Sequence, residues 1–327
     1  MNVTIKDIAE KAGVSYSTVS KALNNSSLVK ADTKNNIITI AKKMGYKPNF
    51  AAQQLASKKT KVIGLIWPTI ERVVLSTLVT KISDEIHKTP YTMILSIEPI
   101  QKSLDTFKKF QVDGIILFEE NTSIELDTDI PFLSYGVDRR KKRSYPMIDP
   151  NHEKAMLKAV KYLYELGHKK IAYIGDLSST DPMQIEKYNG FIKAINFYRL
   201  PQDHTSVINT HGLNWYDGFD AVNQLLGNSY LPTAILGGSY DISGGVIRGL
   251  KEKNIHIPDD ISIVSYDNIP QMANMEVPLT CIGVPVDHLA KEIVRSTIQL
   301  IEGDLQPHQS IKMIPKLQER MSCSDSR

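Results

Sequence analysis

The first sixty residues carry apolar positions at the roughly 3.6-residue spacing of short helices. Thr4 begins a T-x-x-D pattern, typical of a capping box at a helix start, and Gly13 predicts the end of that helix. A second helix is predicted for residues 15–24 and a third for residues 32–44, which Gly45 would end. Short helices joined by a turn that contains glycine predict a helix-turn-helix.

The outward face of the second predicted helix carries groups suited to DNA. In a helix-turn-helix this helix enters the major groove with its N-terminal residues at the base edges. Tyr16, Ser17 and Lys21 occupy that face, and their hydroxyl and ammonium groups can contact bases. The residues placed to hold phosphates are Thr4, Ser15, Thr18 and Asn24. Each alone is typical of any exposed surface, and it is their clustering that favours a DNA contact.

The charge of the chain is unevenly distributed. The first sixty residues hold ten lysines, no arginine and three acidic residues, a net charge of +7, whereas the whole chain carries +3. The remainder is therefore mildly acidic. A basic segment attached to an acidic body favours a polyanionic partner, although a lysine-rich surface that only improves solubility would have the same composition.

Beyond residue 60, short apolar runs rich in β-branched residues alternate with helical stretches. The strand candidates are residues 62–66, 92–95, 114–118, 131–133, 171–174, 234–236, 261–264 and 280–284. Continuous apolar strands separated by helices are typical of parallel sheets covered on both faces. The sequence therefore predicts an α/β body that follows the small all-α segment.

Other classes of protein fit the sequence less well. Cys281 and Cys323 lack metal-ligand spacing and favour a reducing compartment. No secretory signal and no apolar run near the roughly 18 residues of a membrane helix are found, so we expect a cytoplasmic protein. The sequence also lacks a P-loop, a G-x-S-x-G elbow and a glycine-rich dinucleotide motif. We therefore expect no enzymatic activity and no cofactor.

The N-terminal residues closely resemble the DNA-binding headpiece of the lactose-repressor (LacI/GalR) family of transcription regulators. The matching runs are TIKDIA at residues 4–9, AGVS at 12–15, TVSKALN at 18–24 and GYKPN at 45–49. The resemblance continues through most of the chain, with later landmarks such as Gly167-His168 and Ser265-Tyr266-Asp267. Because the headpiece runs are long and occur in order, the match is specific.

The resemblance implies a division of the chain into three parts. They are a helix-turn-helix headpiece over residues 1–48, a hinge helix or linker over 49–59, and a body over 60–327. The body is expected to be periplasmic-binding-protein-like, with two parallel-sheet subdomains and a cleft between them. The N-subdomain would comprise residues 60–148 and 284–306, and the C-subdomain residues 149–281 and 307–323.

The hinge has an implied role of its own. In the family, hinge helices from two subunits lie in the minor groove at the centre of the operator. Leu55 matches the leucine that wedges between base pairs, and Ala52 would allow the two hinges to pair closely. Lys47 and Lys58 are expected to contact phosphates. The alternative for Leu55 is simple packing onto the body.

An effector site is implied at the carboxyl ends of the strands in the cleft. The candidate residues are Asp149, Lys187, Trp215, Ser239, Tyr240 and Asp267. Asp267 matches the effector-contacting aspartate of the family, whereas Lys187 stands where the family usually has arginine. Ser239 and Tyr240 stand where the family usually has Asn-Asp or Asp-Asp. Trp215 and Trp67 either stack on a ring of the effector or pack in the core.

These features together predict a sequence-specific repressor. It would bind a near-palindromic operator as a homodimer, without a membrane, and would be switched by a small-molecule effector, a sugar or sugar derivative. Two alternatives stay open: control by a partner protein or corepressor, and a small-molecule binding protein with no DNA role. Because Lys187 and Tyr240 differ from the residues that the family usually has there, only part of the residue set expected to bind a neutral sugar is present.

Overall fold

The computed structural model divides the chain into two compact units, Met1–Thr60 and Lys61–Arg327. The described residues are 3–23, 26–46, 59–119, 126–138, 145–177, 180–201, 204–227, 231–306 and 308–326. The first unit contains the headpiece, and the second is the body. The predicted hinge residues, among them Ala52, Leu55 and Lys58, lie outside the described residues, as do Asn24 and Lys47.

Three helices form the headpiece: α1 (Ile5–Ala12), α2 (Tyr16–Leu23) and α3 (Ala31–Lys43). The predicted capping box is confirmed, because the Asp7 backbone N–H donates to Thr4 Oγ1 and the Thr4 N–H donates to Asp7 Oδ2 at 2.8 Å. Gly13 ends α1 in the left-handed conformation, with φ of 66°. Glycine adopts that conformation without strain because it has no Cβ. The residue at position 13 therefore determines the turn between α1 and α2.

The headpiece has its own small core. Its buried residues are Ile8, Ala9, Val19, Ala22, Ile37 and Ala41, two from each helix. The apolar stripe of each amphipathic helix therefore faces the other two helices, and the polar faces point to solvent. This arrangement leaves one side of α2 free for contacts with a partner.

The first sheet of the body has the strand order β11-β5-β4-β3-β1-β2, and its pairs are parallel. Its strands are β1 (Val62–Ile66), β2 (Thr92–Ser96), β3 (Gly114–Phe118), β4 (Phe132–Tyr135), β5 (Met147–Asp149) and β11 (Ser310–Lys312). The helices that follow its strands are α4 (Val73–Ile86) and α5 (Ile100–Phe110). The strands β1 and β3 are buried along almost their whole length, as their continuous apolar sequence predicts.

The second sheet has the order β12-β10-β9-β8-β6-β7, and only β12 is antiparallel to its neighbour. Its strands are β6 (Ile171–Gly175), β7 (Val207–Asn209), β8 (Ala234–Gly237), β9 (Ser262–Asn268), β10 (Thr280–Pro285) and β12 (Lys316–Gln318). Its helices are α6 (His152–Glu165), α7 (Pro182–Phe197), α8 (Trp215–Gly227) and α9 (Tyr240–Glu252).

The two sheets repeat one topology, since β2-β1-β3-β4-β5 and β7-β6-β8-β9-β10 have the same order. The final long helix, α10 (Val286–Glu302), packs against α4 of the first sheet, and Lys81 of α4 pairs with Asp287 at 2.9 Å. In such sheets a ligand crevice forms outside the carboxyl ends of the strands, where the order reverses.

One expected boundary needs correction. Residues 307–323 were assigned to the C-subdomain, but Ser310–Lys312 pairs in parallel with β5 of the first sheet. The chain therefore returns to the first sheet after α10 and reaches the second only at Lys316–Gln318. A three-residue edge strand has no hydrophobic period from which its sheet could be predicted.

No helix among the described residues is both long and apolar enough to cross a lipid bilayer.

Candidate functional site

The headpiece presents the predicted base-contacting residues together on α2. Tyr16 is 53% exposed although it is a large aromatic residue, and Ser17 and Lys21 are also exposed. Val19 and Ala22 of the same helix are buried in the core, which fixes the direction of the exposed face. An exposed aromatic ring, a hydroxyl and an ammonium group thus lie on one rigid surface suited to a DNA groove.

The predicted phosphate-contacting residues are already engaged in helix caps. Ser15 Oγ accepts the Thr18 backbone N–H at 3.2 Å and lies 2.8 Å from Thr18 Oγ1 and 2.9 Å from Ser17 Oγ. The Thr4 hydroxyl donates to Asp7 Oδ2 at 2.9 Å. These hydroxyls therefore orient the N-termini of α1 and α2, where backbone N–H groups and the helix dipole favour an anion.

The body contains a cleft at the carboxyl ends of its strands, with a volume of about 780 Å³ including its open mouth. Its apolar lining comes from both halves of the body and includes Leu75, Phe118, Tyr135, Met183, Leu213 and Val284. Its polar lining consists of Arg72, His152, Asp181, Gln184, Lys187, Tyr266, Asp267 and Asn268. An apolar cavity with a few convergent polar groups is typical of a small-molecule site.

Lys187 and Asp267 are the two sequence-predicted effector residues that line this cleft. Lys187, on α7, is only 3% exposed, and its Nζ donates to the Gly238 carbonyl at 2.9 Å and lies 4.2 Å from the centre of the Tyr266 ring. Burial lowers the pKa of Lys187 to about 8, opposed by the nearby charge of Asp267. The ammonium group thus remains mostly charged at pH 7.

Asp267, next to the end of β9, has an unusual backbone conformation, with φ of 85°. Its Oδ2 accepts the backbone N–H of Tyr240 at 2.9 Å, which ties the end of β9 to the start of α9. A non-glycine residue in this conformation is uncommon and marks a position that the surrounding structure holds firmly. The carboxylate is therefore fixed at the edge of the cleft.

Four other residues predicted to contact the effector, Asp149, Trp215, Ser239 and Tyr240, lie outside the lining described above, and their effector role stays a prediction. Asp149 is fully buried, and its carboxylate accepts the Asn151 and Asp138 N–H groups at 2.7 and 3.3 Å. It closes the turn that leads into α6. Each of its oxygens thus accepts one backbone N–H, and Oδ2 also lies 3.8 Å from Lys312 Nζ.

The other three residues stabilise α8 and α9. Trp215 stacks on Phe219 of α8 with 5.6 Å between ring centres. Ser239 is the N-cap of α9, and Tyr240 contributes its backbone N–H to Asp267. Trp67, which was an alternative stacking residue, is 1% exposed and packs in the core behind Phe118 and Tyr135.

Sequence reasoning missed Arg72, which precedes α4 and lines the cleft from the side of the first sheet. Its Nε is buried without a hydrogen bond among the described residues. The positive charge of Arg72 contributes to lowering the pKa of Lys187, so the two cations face the same space. No local pattern distinguishes this arginine from an exposed one, because only the tertiary structure brings it to the cleft.

A second missed residue, Asp241, joins the two halves of the body. This residue of α9 lies close to the backbone N–H of Val73 at the start of α4, and burial followed by repulsion from Asp267 raises its pKa to about 6. Gln271 adds a second such contact by donating from Nε2 to Thr77 Oγ1 at 2.9 Å. These contacts connect the elements that flank the cleft.

His152 completes the polar lining. Its Nδ1 lies 2.5 Å from the Tyr266 hydroxyl, while its Nε2 is buried without a hydrogen bond among the described residues. Burial, followed by the charge of Lys187, holds the pKa of His152 well below its ordinary value. The imidazole is therefore neutral, and its free nitrogen is available to a bound molecule.

Comparisons with known proteins match these two units. Residues 4–49 match a family model described as bacterial regulatory proteins, lacI family, and residues 160–323 match a periplasmic binding protein-like domain. Catabolite control protein A of Priestia megaterium is 30% identical over 95% of this chain and 100% of its own length. The chain belongs to the LacI family. It is a DNA-binding transcription regulator and not an enzyme.

Other LacI-family proteins show the same similarity. The HTH-type transcriptional repressor PurR of Actinobacillus pleuropneumoniae serotype 3 is 34% identical, with 98% of each chain covered. Among solved structures, the Lac repressor bound to ONPG in the repressed state superposes with a TM-score of 0.81 at 25% identity, covering 98% of this chain and 100% of the other. The Lac repressor dimer bound to operator and the anti-inducer ONPF gives 0.80 at 24% identity, with 99% and 100% covered. The predicted family and fold class are therefore confirmed.

Proposed function

We propose that this LacI-family regulator is a cytoplasmic homodimeric repressor whose operator binding is switched by a small-molecule effector in the cleft of the body. The observation that carries the proposal is the exposed face of α2, where Tyr16, Ser17 and Lys21 project from a headpiece with its own core. Two headpieces in a symmetric dimer would contact the two halves of a near-palindromic operator.

The test of this function is selection of bound fragments from a genomic DNA library, repeated at two salt concentrations. A near-palindrome recovered at both concentrations would support the proposal. Recovery of only sequence-independent DNA, lost steeply at the higher salt concentration, would contradict it, because that behaviour is typical of lysine–phosphate attraction alone.

Tyr16→Ala is expected to change which operator the protein selects. Loss of the contacts from the ring and hydroxyl should alter discrimination at one base pair in each half-site by roughly 5- to 100-fold, the usual value of a direct base contact. The same DNA selection, performed on the variant, measures this effect. Tyr216→Ala, at a 73% exposed tyrosine of the body, is the matched control and should leave selection unchanged. A uniform loss of affinity without altered preference would show that Tyr16 does not contact bases.

Leu55→Ala is expected to reduce bending of the operator. In the proposed complex, Leu55 wedges between base pairs while Ala52 allows the paired hinges to approach, and Lys47 and Lys58 hold phosphates. Without the wedge, affinity for the operator should fall roughly tenfold or more. The bent DNA permits contacts worth a few kcal/mol, which compensate the similar cost of unstacking base pairs, and these contacts would be lost. Energy transfer between dyes at the two operator ends measures the bend. An unchanged bend would exclude the wedge role, and sedimentation would show whether the dimer is intact.

The proposed effector is a small sugar-like molecule. Lys187 and Asp267 supply a donor and an acceptor in a cleft whose apolar walls suit the faces of a ring. The effector would act by binding the open and closed forms of the body with different affinity. Because α4 and α9 meet through Val73 and Asp241, ligand contacts in the cleft would be transmitted to both halves of the body.

A further inference from the structure

We infer that the effector carries an acidic group, a carboxylate or a phosphate, which Arg72 and Lys187 bind from the two sides of the cleft, while its hydroxyls reach Asp267. This inference rests on the proposed function, in which the cleft is the effector site. It names the chemical class of the ligand: a small hydroxylated acid instead of a neutral sugar.

The first argument is the state of the two cations. Lys187 is 3% exposed, and its ammonium group donates to one carbonyl oxygen, that of Gly238. Arg72 lines the same cleft with a buried Nε for which no hydrogen bond is found within the described part of the chain. Among the described residues no carboxylate lies in ion-pair contact with either cation. Burial of the Lys187 ammonium group without a carboxylate in direct contact is unfavourable, and an anion bound between Lys187 and Arg72 would offset that cost and reduce the repulsion between the two cations.

The second argument is the use of the carboxylates in the lining. Asp181 is the N-cap of α7: its Oδ1 accepts the Met183 and Gln184 N–H groups at 2.8 and 3.4 Å, and its Oδ2 accepts Gln184 Nε2 at 3.2 Å. It therefore has little capacity left for a ligand. Asp267 uses Oδ2 for the Tyr240 N–H, and no hydrogen bond to its second oxygen is found among the residues that the structure describes. Besides Asp181, which caps α7, the described lining thus offers two cations and the carboxylate of Asp267, which matches an acidic group joined to hydroxyls.

The third argument is the remaining polar lining. His152 Nε2 and Gln184 Oε1 are buried in the lining without hydrogen bonds among the described residues. Buried polar atoms are usually paired, so these two atoms indicate additional contacts made by a bound molecule. On the opposite side, Phe118 and Tyr135 provide an apolar wall for the carbon skeleton. A hexose acid or hexose phosphate has the mixed polarity of this lining.

The experiment measures binding to the full-length protein by isothermal titration at constant ionic strength. The probes are D-glucose, D-gluconate and D-glucose 6-phosphate, with D-galactose, D-galacturonate and D-galactose 6-phosphate as a second series. We expect an acid to bind at least tenfold more tightly than the neutral sugar of its series. Preference for the sugar acid or for the phosphate identifies which acidic group the cations bind. Orthophosphate and acetate serve as acidic probes that have no sugar ring. One of them should raise the Tm of the protein by about 2 °C or more relative to chloride at the same ionic strength.

Substitutions of Arg72 test whether the acidic group binds in the cleft. Arg72→Gln should weaken binding of the acid at least tenfold, and Arg72→Lys should restore part of that loss. Lys81→Gln removes a cation from the same helix outside the cleft and should have no effect. Thermal unfolding of each variant shows that it is folded.

Three results would overturn the inference: neutral sugars that bind as tightly as their acids, an Arg72→Gln variant with unchanged affinity for the acid, or no response to any of the anions. Operator binding by the same protein preparation is measured in parallel. If the protein binds its operator specifically but gives any of these three results, the acidic effector is contradicted and the repressor function is still supported.

Discussion

Lys187→Met is expected to stabilise the body at pH 7 and to abolish its response to effector. The pKa of this lysine falls from 10.5 to about 8, mainly because of burial. That fall corresponds to a cost of about 3 kcal/mol for the buried charge. Methionine fills a similar volume without charge, although the Gly238 carbonyl loses its donor at a cost of about 1 kcal/mol. The net gain in free energy of unfolding should be about 1–2 kcal/mol.

The pH dependence of this gain follows from the direction of the pKa shift. Between about pH 8 and 10.5 the unfolded chain binds the Lys187 proton and the folded chain does not. The cost of the charge is therefore fully present below about pH 8 and is relieved as the pH rises toward 10.5. The stability difference between the variant and the wild type should shrink over the same range, as measured by urea unfolding.

Lys193→Met is the matched control for Lys187→Met, because it lies on the same helix with its ammonium group exposed and paired with Glu153 at 2.6 Å. It should change stability by less than about 0.5 kcal/mol. The change in operator binding caused by effector should persist in this control and disappear in Lys187→Met. If Lys187→Met were no more stable than the wild type at pH 7, the ammonium group would be satisfied within the protein and would not need a ligand.

Gly245→Ala is expected to destabilise the body by about 2–4 kcal/mol. A Cβ at this position of α9 would lie 2.0 Å from the Trp215 carbonyl oxygen and 2.6 Å from the Phe219 nitrogen, both backbone atoms of α8. Backbone cannot move aside as a flexible side chain can, so α8 and α9 would have to separate. Urea unfolding of the body measures the loss.

The separation should also weaken effector binding, because the start of α9 holds Asp267 through the Tyr240 N–H. Gly227→Ala, at the end of α8, is the control: a Cβ there meets no atom within 4 Å. This control should be neutral or slightly stabilising, since alanine favours helix over glycine by up to about 1 kcal/mol. Equal stability of the two variants would show that α8 and α9 can adjust without cost.

Local sequence signals determined the headpiece and most of the body strands. The capping box at Thr4, the glycine at residue 13 and the apolar stripes act within a few residues, so they can be identified without knowledge of the fold. All eight predicted strands are present in the structure, because a continuous apolar run between two helices is a local pattern typical of a buried strand. Lys187 and Asp267 were found through the family pattern, and the structure places both in the cleft.

The tertiary structure alone decided the rest of the cleft. The three-residue strands β5, β7, β11 and β12 were missed, since they are too short to show a period and owe their conformation to neighbouring strands. Arg72, His152 and Asp241 come from the starts of three helices far apart in sequence, and only the folding of two sheets against each other brings them near Lys187. The family pattern also predicted Asp149 and Tyr240 in the site, whereas the structure shows Asp149 at the turn into α6 and Tyr240 at the start of α9, both outside the lining of the cleft. Local patterns specify helices and strands because these depend on near neighbours, whereas a cleft depends on distant residues whose proximity no local pattern encodes.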